Sequence, residues 1–402
     1  MMLLRTKSFS LMVFAGLMAG ALADGAELCR VTIRAEVPPG TGTVYLTGNC
    51  ARLGDWDPAG LAMAGSGGER SATISLPRGT ELEYKFTLGS WDREGLGPSG
   101  QVMPNYPLTV ESDTNVTMTI GGFKKGGPDL ASYIADWTNS GVTGRLVYWT
   151  NVASKHLAQN RTVEIWLPPD YDDHGTNRYN VLYMQDGQNL FDARLSAFGT
   201  AWEVDKAVTR CAQAGKIPPL IVVGVWNTGD RLREYSPWDL GTNYAEFLIR
   251  ELMPEVNRNF RTRTGPEHTT VMGSSMGGLI SFWLCWQHPE VFGRAGCLST
   301  AFTWNGSVGY TGAPPLIERA IDAHAPVPRG VRLYFDYGTG KMDSRIGPEQ
   351  DKVAAWLRSE GLQEGGDFVV RVFPGADHNE AAWRARVDEP LTWLFSNDLG
   401  GH

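Results

Sequence analysis

The stretch "VMGSSMGGLI", residues 271–280, decides how the rest of the chain is read. Gly273-x-Ser275-x-Gly277 has the spacing of a strained strand-to-helix turn with a serine at its tip. The spacing alone is weak: with 48 glycines in 402 residues, roughly 0.3 such matches arise by chance in a chain of this length. Context carries the reading. "HTTVMG" before the serine reads as a strand, and "MGGLISFWLCWQH" after it reads as a helix. Gly273 and Gly277 remove Cβ atoms that would crowd the turn, and Gly278 lets the helix begin close to neighbouring backbone. The positive end of that helix is expected beneath the Ser275 hydroxyl.

A serine hydroxyl needs a base before it can attack. In this kind of turn the chain order is serine, acid, histidine, so the base is sought downstream. Of the four histidines there, His288 ends the helix that Ser275 starts, His324 precedes a strand, and His402 is the last residue. His378, in "FPGADHNEAAW", follows the strand-like "FVVRVF" and falls in the loop after it, where α/β active sites are built. The acid is expected from the loop after the preceding strand, "VRLYFDYGTGKMD", with Asp336 and Asp343 as candidates. Asp343 is favoured, because it lies beyond the Gly-Thr-Gly turn whereas Asp336 is still within the strand pattern. Asp377 adjoins His378, and its side chain is expected to diverge. Two backbone N–H groups should hold an oxyanion: that of Met276, and that of Gly187 or Gln188 in the loop after "NVLYMQ". Asp186 and Asp192 in that loop are too few and wrongly spaced for calcium.

The chain divides about a third of the way along. Residues 24–122 alternate apolar and polar in short runs ("VTIRAEV", "TVYLTGN", "SATISLP", "LEYKFTLG", "YPLTV", "NVTMTI") broken by Gly, Pro, Asn and Asp, the pattern of a small all-β sandwich. Residues 123–139 read as a Gly-rich linker. Residues 140–398 alternate apolar runs with amphipathic stretches, which predicts an α/β fold: a mainly parallel, doubly wound sheet led by antiparallel strands at "GRLVYWTNV" and "TVEIWLPPDY".

Residues 1–23 combine basic Arg5 and Lys7, an apolar run from Leu11, and Ala21-Leu22-Ala23, the features of a cleaved secretory signal peptide. A secreted or periplasmic destination follows, and disulfides become permissible. Cys29 and Cys50 would fall nearly opposite each other if "VTIRAEV" and "TVYLTGN" paired through "PPGTG", and the total of five cysteines leaves at least one outside any internal bridge. A net charge of −8 with no basic block argues against nucleic acid, and no further segment is suited to span a membrane. No Cys/His cluster has zinc spacing.

With "LYMQDGQNLFD", "GDRLREYSP", "VMGSSMGGLIS", "YFDYGTGKMD" and "FPGADHNEAAW" in place, residues 140–398 resemble an esterase family of α/β-hydrolases. That family includes feruloyl and acetyl-xylan esterases, siderophore esterases, S-formylglutathione hydrolase and mycolyltransferases. The resemblance implies serine ester hydrolysis without a cofactor, acting on acyl or feruloyl esters of carbohydrates. Acyl transfer to sugar hydroxyls, siderophore ester cleavage and a binding protein with an inactive hydrolase domain are the competing readings. "GDRLREYSPW" is expected to line or brace the pocket, with Arg231, Arg233 and Glu234 also suited to salt bridges.

"VYLTGNCARLGDWDPAGLAM", "LEYKF" and "NYPLTV" are similar to starch-binding modules of the family 20 carbohydrate-binding type. The resemblance implies that Trp56 stacks on a glucose ring and that Lys85 assists. The stretch "GPSGQVMPN", where that family carries its second stacking tryptophan, has none, and Trp91 in "LGSWDRE" is the candidate substitute. Such a module is expected to act by targeting, so that a chain beginning near Ala131 would keep its rate on a small soluble ester.

Overall fold

The computed structural model describes residues 27–396 except residue 55 and segments 126–129, 136–140, 305–314, 324–325, 328 and 341. The leader-like segment, His324, His402 and part of the expected linker lie outside the described residues. Among the described residues no helix is long and apolar enough to cross a membrane.

Among the described residues the front module forms nine strands: β1 (Leu28–Glu36), β2 (Tyr45–Gly48), β3 (Leu61–Ala62), β4 (Glu69–Pro77), β5 (Thr80–Thr87), β6 (Gly95–Leu96), β7 (Tyr106–Val110), β8 (Thr114–Thr119) and β9 (Gly122–Phe123). One sheet has the order β4-β1-β8 and the other β3-β2-β5-β7. Inward side chains alternate along each strand. Val31, Ile33 and Ala35 of β1 meet Leu46 of β2 and Leu82, Tyr84 and Phe86 of β5 in a single core.

This arrangement corrects the expected β1–β2 hairpin. β1 pairs antiparallel with β4 and in parallel with β8, whereas β2 pairs with β3 and β5. Both strands carry an apolar face, and facing sheets bury those two faces against each other, which a side-by-side hairpin would not do. Cys29 therefore stands opposite Leu76, not Cys50. The two cysteines enter the same core from different sheets, and no disulfide joins any of the five.

The second half is built on eight strands: β10 (Arg145–Val152), β11 (Arg161–Leu167), β12 (Asn180–Gln185), β13 (Leu220–Val225), β14 (Thr269–Ser274), β15 (Arg294–Leu298), β16 (Arg332–Gly338) and β17 (Phe368–Phe373). Their order is β10-β11-β13-β12-β14-β15-β16-β17. β10, β11 and β13 run antiparallel to their neighbours in turn, and every pairing from β13 to β17 is parallel. β12 to β15 are buried along their whole length, which explains their unbroken apolar runs.

Alternate side chains feed two cores, one on each face. Tyr183 joins Leu279, Phe282 and Val353, from the helices Met276–Gln287 and Gly347–Ser359. Leu182 and Met184 join Val208 and Leu394, from the helices Val204–Gln213 and Asp388–Phe395. β12 has β13 on one side and β14 on the other. The loops leaving the C-terminal ends of β12 and β14 thus open a crevice where the strand order reverses, the usual ligand position in an open α/β sheet.

Candidate active site

Ser275 stands between β14 and the helix Met276–Gln287 with φ 56° and ψ −122°. Such a backbone costs on the order of 1–3 kcal/mol and persists only where its surroundings impose it. Here they do. The Ser275 N–H donates to Leu298 O at 2.9 Å, and Ser275 O accepts from Ala301 N. A Cβ at Gly273 would lie 2.7 Å from the Gly277 carbonyl carbon, so the turn closes only over glycine. The residues just after β12 and β15, Asp186 and Ser299, also take positive φ values of 58° and 41°.

His378 and Asp343 are brought together. His378 Nδ1 lies 2.6 Å from Asp343 Oδ1. Asp343 Oδ2 accepts from Ser299 Oγ at 2.6 Å and from Gly338 N–H at 2.8 Å, so three donors converge on one fully buried carboxylate. Burial alone would raise its pKa. The bond to His378, followed by those from Ser299 and Gly338, outweighs burial and holds Asp343 below the usual carboxylate value. Gly338 is required by the same geometry, since a Cβ there would lie 2.1 Å from Ala376 O and 2.9 Å from Asp343 Oδ2. With Nδ1–H given to Asp343, Nε2 is left with a free lone pair that can take a proton. Among the described residues the Ser275 hydroxyl has no hydrogen-bond partner, so no formed bond joins it to His378.

Asp336 has a different role. It is fully buried, and Arg386 grips it through Nε (3.2 Å) and Nη2 (2.9 Å). Burial pushes its pKa up to about 6 although Arg386 opposes the shift. Asp377 Oδ1 accepts from the His378 backbone N–H at 2.9 Å. His288 lies at the far end of its helix with Nδ1 3.5 Å from Glu290.

Several residues that secure this arrangement escaped the sequence reading. Ser299 Oγ donates to Asp343 and accepts from Trp383 Nε1 (3.0 Å) and Arg386 Nη2 (2.7 Å), using its whole bonding capacity. Trp383 packs edge-on to the His378 ring at 5.1 Å and is itself backed by Trp202 at 5.5 Å. The only signal for Ser299 was its place directly after an apolar strand.

The candidate oxyanion donors lie across the crevice. The Met276 N–H belongs to the first turn of its helix, where it has no intrahelical acceptor. Gly187 opens the short turn Gly187–Asn189, packed so tightly that a Cβ would lie 2.6 Å from the Gly224 carbonyl carbon. Gln188 follows it, and its side chain accepts from Asn227 N–H. "GDRLREYSPW" braces this loop. Arg231 binds Asp186 through two 2.7 Å bonds, and Glu234 forms a buried pair with Arg161 at 2.8 and 2.9 Å. Arg233 pairs with Asp230 and Asp239 at the surface.

In the front half, Trp56 and Trp91 are both partly exposed, and their rings lie 6.3 Å apart with a 41° tilt. Lys85 is turned inward: it is 7% exposed, is ion-paired with Glu94, and donates to Met103 O at 2.9 Å. The halves also touch. Lys124 binds Glu94 at 2.8 Å and Ala197 O at 2.6 Å, and Arg345 pairs with Glu81.

Comparison with known proteins agrees with this architecture. A family model described as "Putative esterase" matches residues 154–394, and one described as "Starch binding domain" matches residues 29–119. The chain is 23% identical over 264 residues to the uncharacterized protein YbbA of Bacillus subtilis (strain 168), covering 61% of this chain and 96% of that protein. It is 26% identical over 347 residues to an endo-1,4-beta-xylanase/feruloyl esterase of Xylanibacter ruminicola, covering 81% of this chain but only 43% of that longer protein. An enterochelin esterase from Shigella flexneri shares the fold with a TM-score of 0.52 at 16% identity, covering 92% of this chain and 93% of that one.

Proposed function

Because the chain belongs to the Putative esterase family, we propose that it is an exported serine esterase acting on acyl or feruloyl esters of carbohydrates, with Ser275, His378 and Asp343 as its catalytic residues. The front module, residues 24–122, is joined by residues 123–139 to the esterase domain, residues 140–398. Ser275 Oγ attacks the ester carbonyl while His378 Nε2 takes its proton. Asp343 fixes the imidazole tautomer and stabilises the imidazolium. The N–H groups of Met276 and of Gly187 or Gln188 hold the oxyanion. His378 then protonates the leaving alcohol, and water releases the acid by the same steps in reverse roles.

The observation that carries this reading is the 2.6 Å contact between His378 Nδ1 and an Asp343 carboxylate held by three donors, on the loops after β16 and β17 of the sheet whose β14 ends in the strained Ser275 turn. The carbohydrate half of the proposal is supported by the starch-binding module and by the feruloyl esterase relative. Export is supported by the leader-like residues 1–23. Incubating the purified protein with acetyl, feruloyl and aliphatic esters, in water and with added sugar acceptors, tests it. Free acid as the main product is expected. Acylated sugar as the main product would replace hydrolysis by acyl transfer.

The tilted pair of Trp56 and Trp91 is suited to sugar stacking. Trp56→Ala should weaken retention on insoluble starch by about tenfold or more, since an aromatic anchor is commonly worth on the order of 2 kcal/mol. Pull-down of parent and variant measures it. Equal retention of the two would remove Trp56 from the binding surface.

A further inference from the structure

A cavity of about 390 Å³ opens at the end of β13, with Asn151, Gln159, Asn160, Arg161, Trp226 and Asn227 in its lining. Its size is that of a site for a small organic ligand. Two of these residues touch the turn that carries the candidate oxyanion donors. A Cβ on Gly187 would lie 2.7 Å from Trp226 Cδ1. Asn227 donates from Nδ2 to Asp186 Oδ1 at 2.6 Å, and from its backbone N–H to Gln188 Oε1 at 3.3 Å. Asp186 Oδ2 in turn lies 3.3 Å from where a Cβ on Gly277 would stand, two residues after Ser275. The cavity and the nucleophile turn are thus separated only by the short stretch Asp186–Gln188, at the sheet edge where the parallel strands β12, β13 and β14 end.

The lining decides which ligand would fit. Its charged residue, Arg161, is 3% exposed and is already held by Glu234 through two bonds. That leaves neutral polar groups to face a ligand. The side-chain amides are each anchored at one end and open at the other. Asn160 Nδ2 donates to Asn151 Oδ1 at 2.8 Å, Gln159 Nε2 donates to Asp230 Oδ2 at 2.9 Å, and Asn227 is tied to Asp186. Among the described residues, Asn151 Nδ2 and the amide oxygens of Gln159, Asn160 and Asn227 have no partner. A fixed donor and three fixed acceptors suit a ligand whose hydroxyls both give and take hydrogen bonds. Trp226, partly exposed, adds an aromatic surface for the apolar face of a ring. The backbone is bent at this place. β10 is an edge strand, and its register with β11 shifts between Trp149 and Val152. Asn151, inside that bulge, has φ 59°, a conformation that costs a residue other than glycine free energy. A bulge of this kind re-aims a side chain, and here the amide of Asn151 meets that of Asn160.

We propose that this cavity is the subsite for a neutral sugar unit of the ester substrate, bound by the open amide ends of Asn151, Gln159, Asn160 and Asn227 and packed on Trp226. This inference rests on the esterase reading above. It places sugar recognition within the esterase domain itself, apart from any targeting by the front module. Asn227 ties the two functions together, since the side chain that offers its oxygen to the sugar also holds the turn beside the nucleophile.

The test uses the full chain and three esters of one acid: the methyl ester, the 6-O-ester of methyl glucoside and the 5-O-ester of methyl arabinofuranoside. The acid is whichever the parent releases fastest. The parent should favour at least one sugar ester over the methyl ester by about tenfold or more in kcat/KM. Asn151→Gly removes one amide and relieves the backbone at φ 59°, and Asn160→Ala removes its bonded neighbour. Each should lower kcat/KM on the favoured sugar ester by about threefold to tenfold, mainly through KM, and the double variant by more than about tenfold. The sugar-to-methyl ratio should fall in step. Both residues are exposed, and a thermal melt of each variant confirms that it is folded. Equal losses on sugar and methyl esters would make the two residues merely structural, and no loss on the sugar ester would remove the cavity from the site. A parent that favours neither sugar ester contradicts the subsite and leaves the esterase reading standing. A parent that hydrolyses none of the three overturns the esterase reading, and this inference with it.

Discussion

Replacing Ser275 with alanine should lower ester hydrolysis by a factor on the order of 10⁴ or more, because nucleophile, base and acid act as one unit and removing any member forfeits most of the benefit of all. The substitution is clean. Alanine keeps the Cβ that the turn at φ 56° already accommodates, and the backbone bonds to Leu298 O and from Ala301 N are unaffected. Among the described residues the hydroxyl has no partner to lose, so stability should stay within about 0.5 kcal/mol. Steady-state turnover of one soluble ester, together with a thermal melt, measures both expectations. Activity within tenfold of the parent would assign the attack to another group.

The second large effect separates two buried aspartates. Asp343→Asn should lower kcat by about 10⁴, because the histidine is then held in the wrong tautomer. The cause can be read from the bonds. His378 Nδ1, Ser299 Oγ and Gly338 N all supply hydrogens to this one carboxylate, and an amide in its place has a single acceptor oxygen. One donor must give way, and an imidazole that turns its Nδ1 into an acceptor carries its proton on Nε2, where the base is needed. Asp336→Asn instead weakens a fully buried pair with Arg386, and should destabilise the fold by on the order of 3 kcal/mol while the folded protein still turns over. Turnover and melting of the two variants, measured side by side, decide the matter. An inactive Asp336→Asn beside a near-normal Asp343→Asn would reverse the assignment.

The strands of the α/β half could be read from the chain because they are covered on both faces. Val181, Leu182, Tyr183 and Met184 are all buried, and a run of that kind announces itself locally. The same holds for the turn at Ser275, whose glycines are required by contacts within a few residues of sequence. What could not be read were relations between strands. "VTIRAEV" and "TVYLTGN" look like hairpin partners because each has one apolar face, but nothing in either says whether its neighbour lies beside it or across the core. Lys85 is expected to assist sugar binding only by resemblance, and its burial beside Glu94 follows from the folding of the sandwich, which its own segment does not reveal.

The support of the site was hidden for the same reason. Arg386 meets Ser299 across 87 residues of chain, and Trp383 meets it across 84. Each is an ordinary residue in its own segment. They converge only because β15, β16 and β17 lie side by side and release their loops at one edge. The pairing of Trp56 with Trp91 is likewise a product of the sandwich fold, which brings together two rings 35 positions apart in the chain.

Attack by Ser275 is the centre of this account, and covalent trapping tests it most directly. A fluorophosphonate reacts with an activated serine by forming an Oγ–P bond and releasing fluoride. Intact-mass and peptide mass spectrometry of the treated full chain should show one adduct, on the peptide that contains Ser275, and none in Ser275→Ala. An adduct of equal yield in Ser275→Ala, or one mapped to another residue in a parent that hydrolyses esters, would contradict the account.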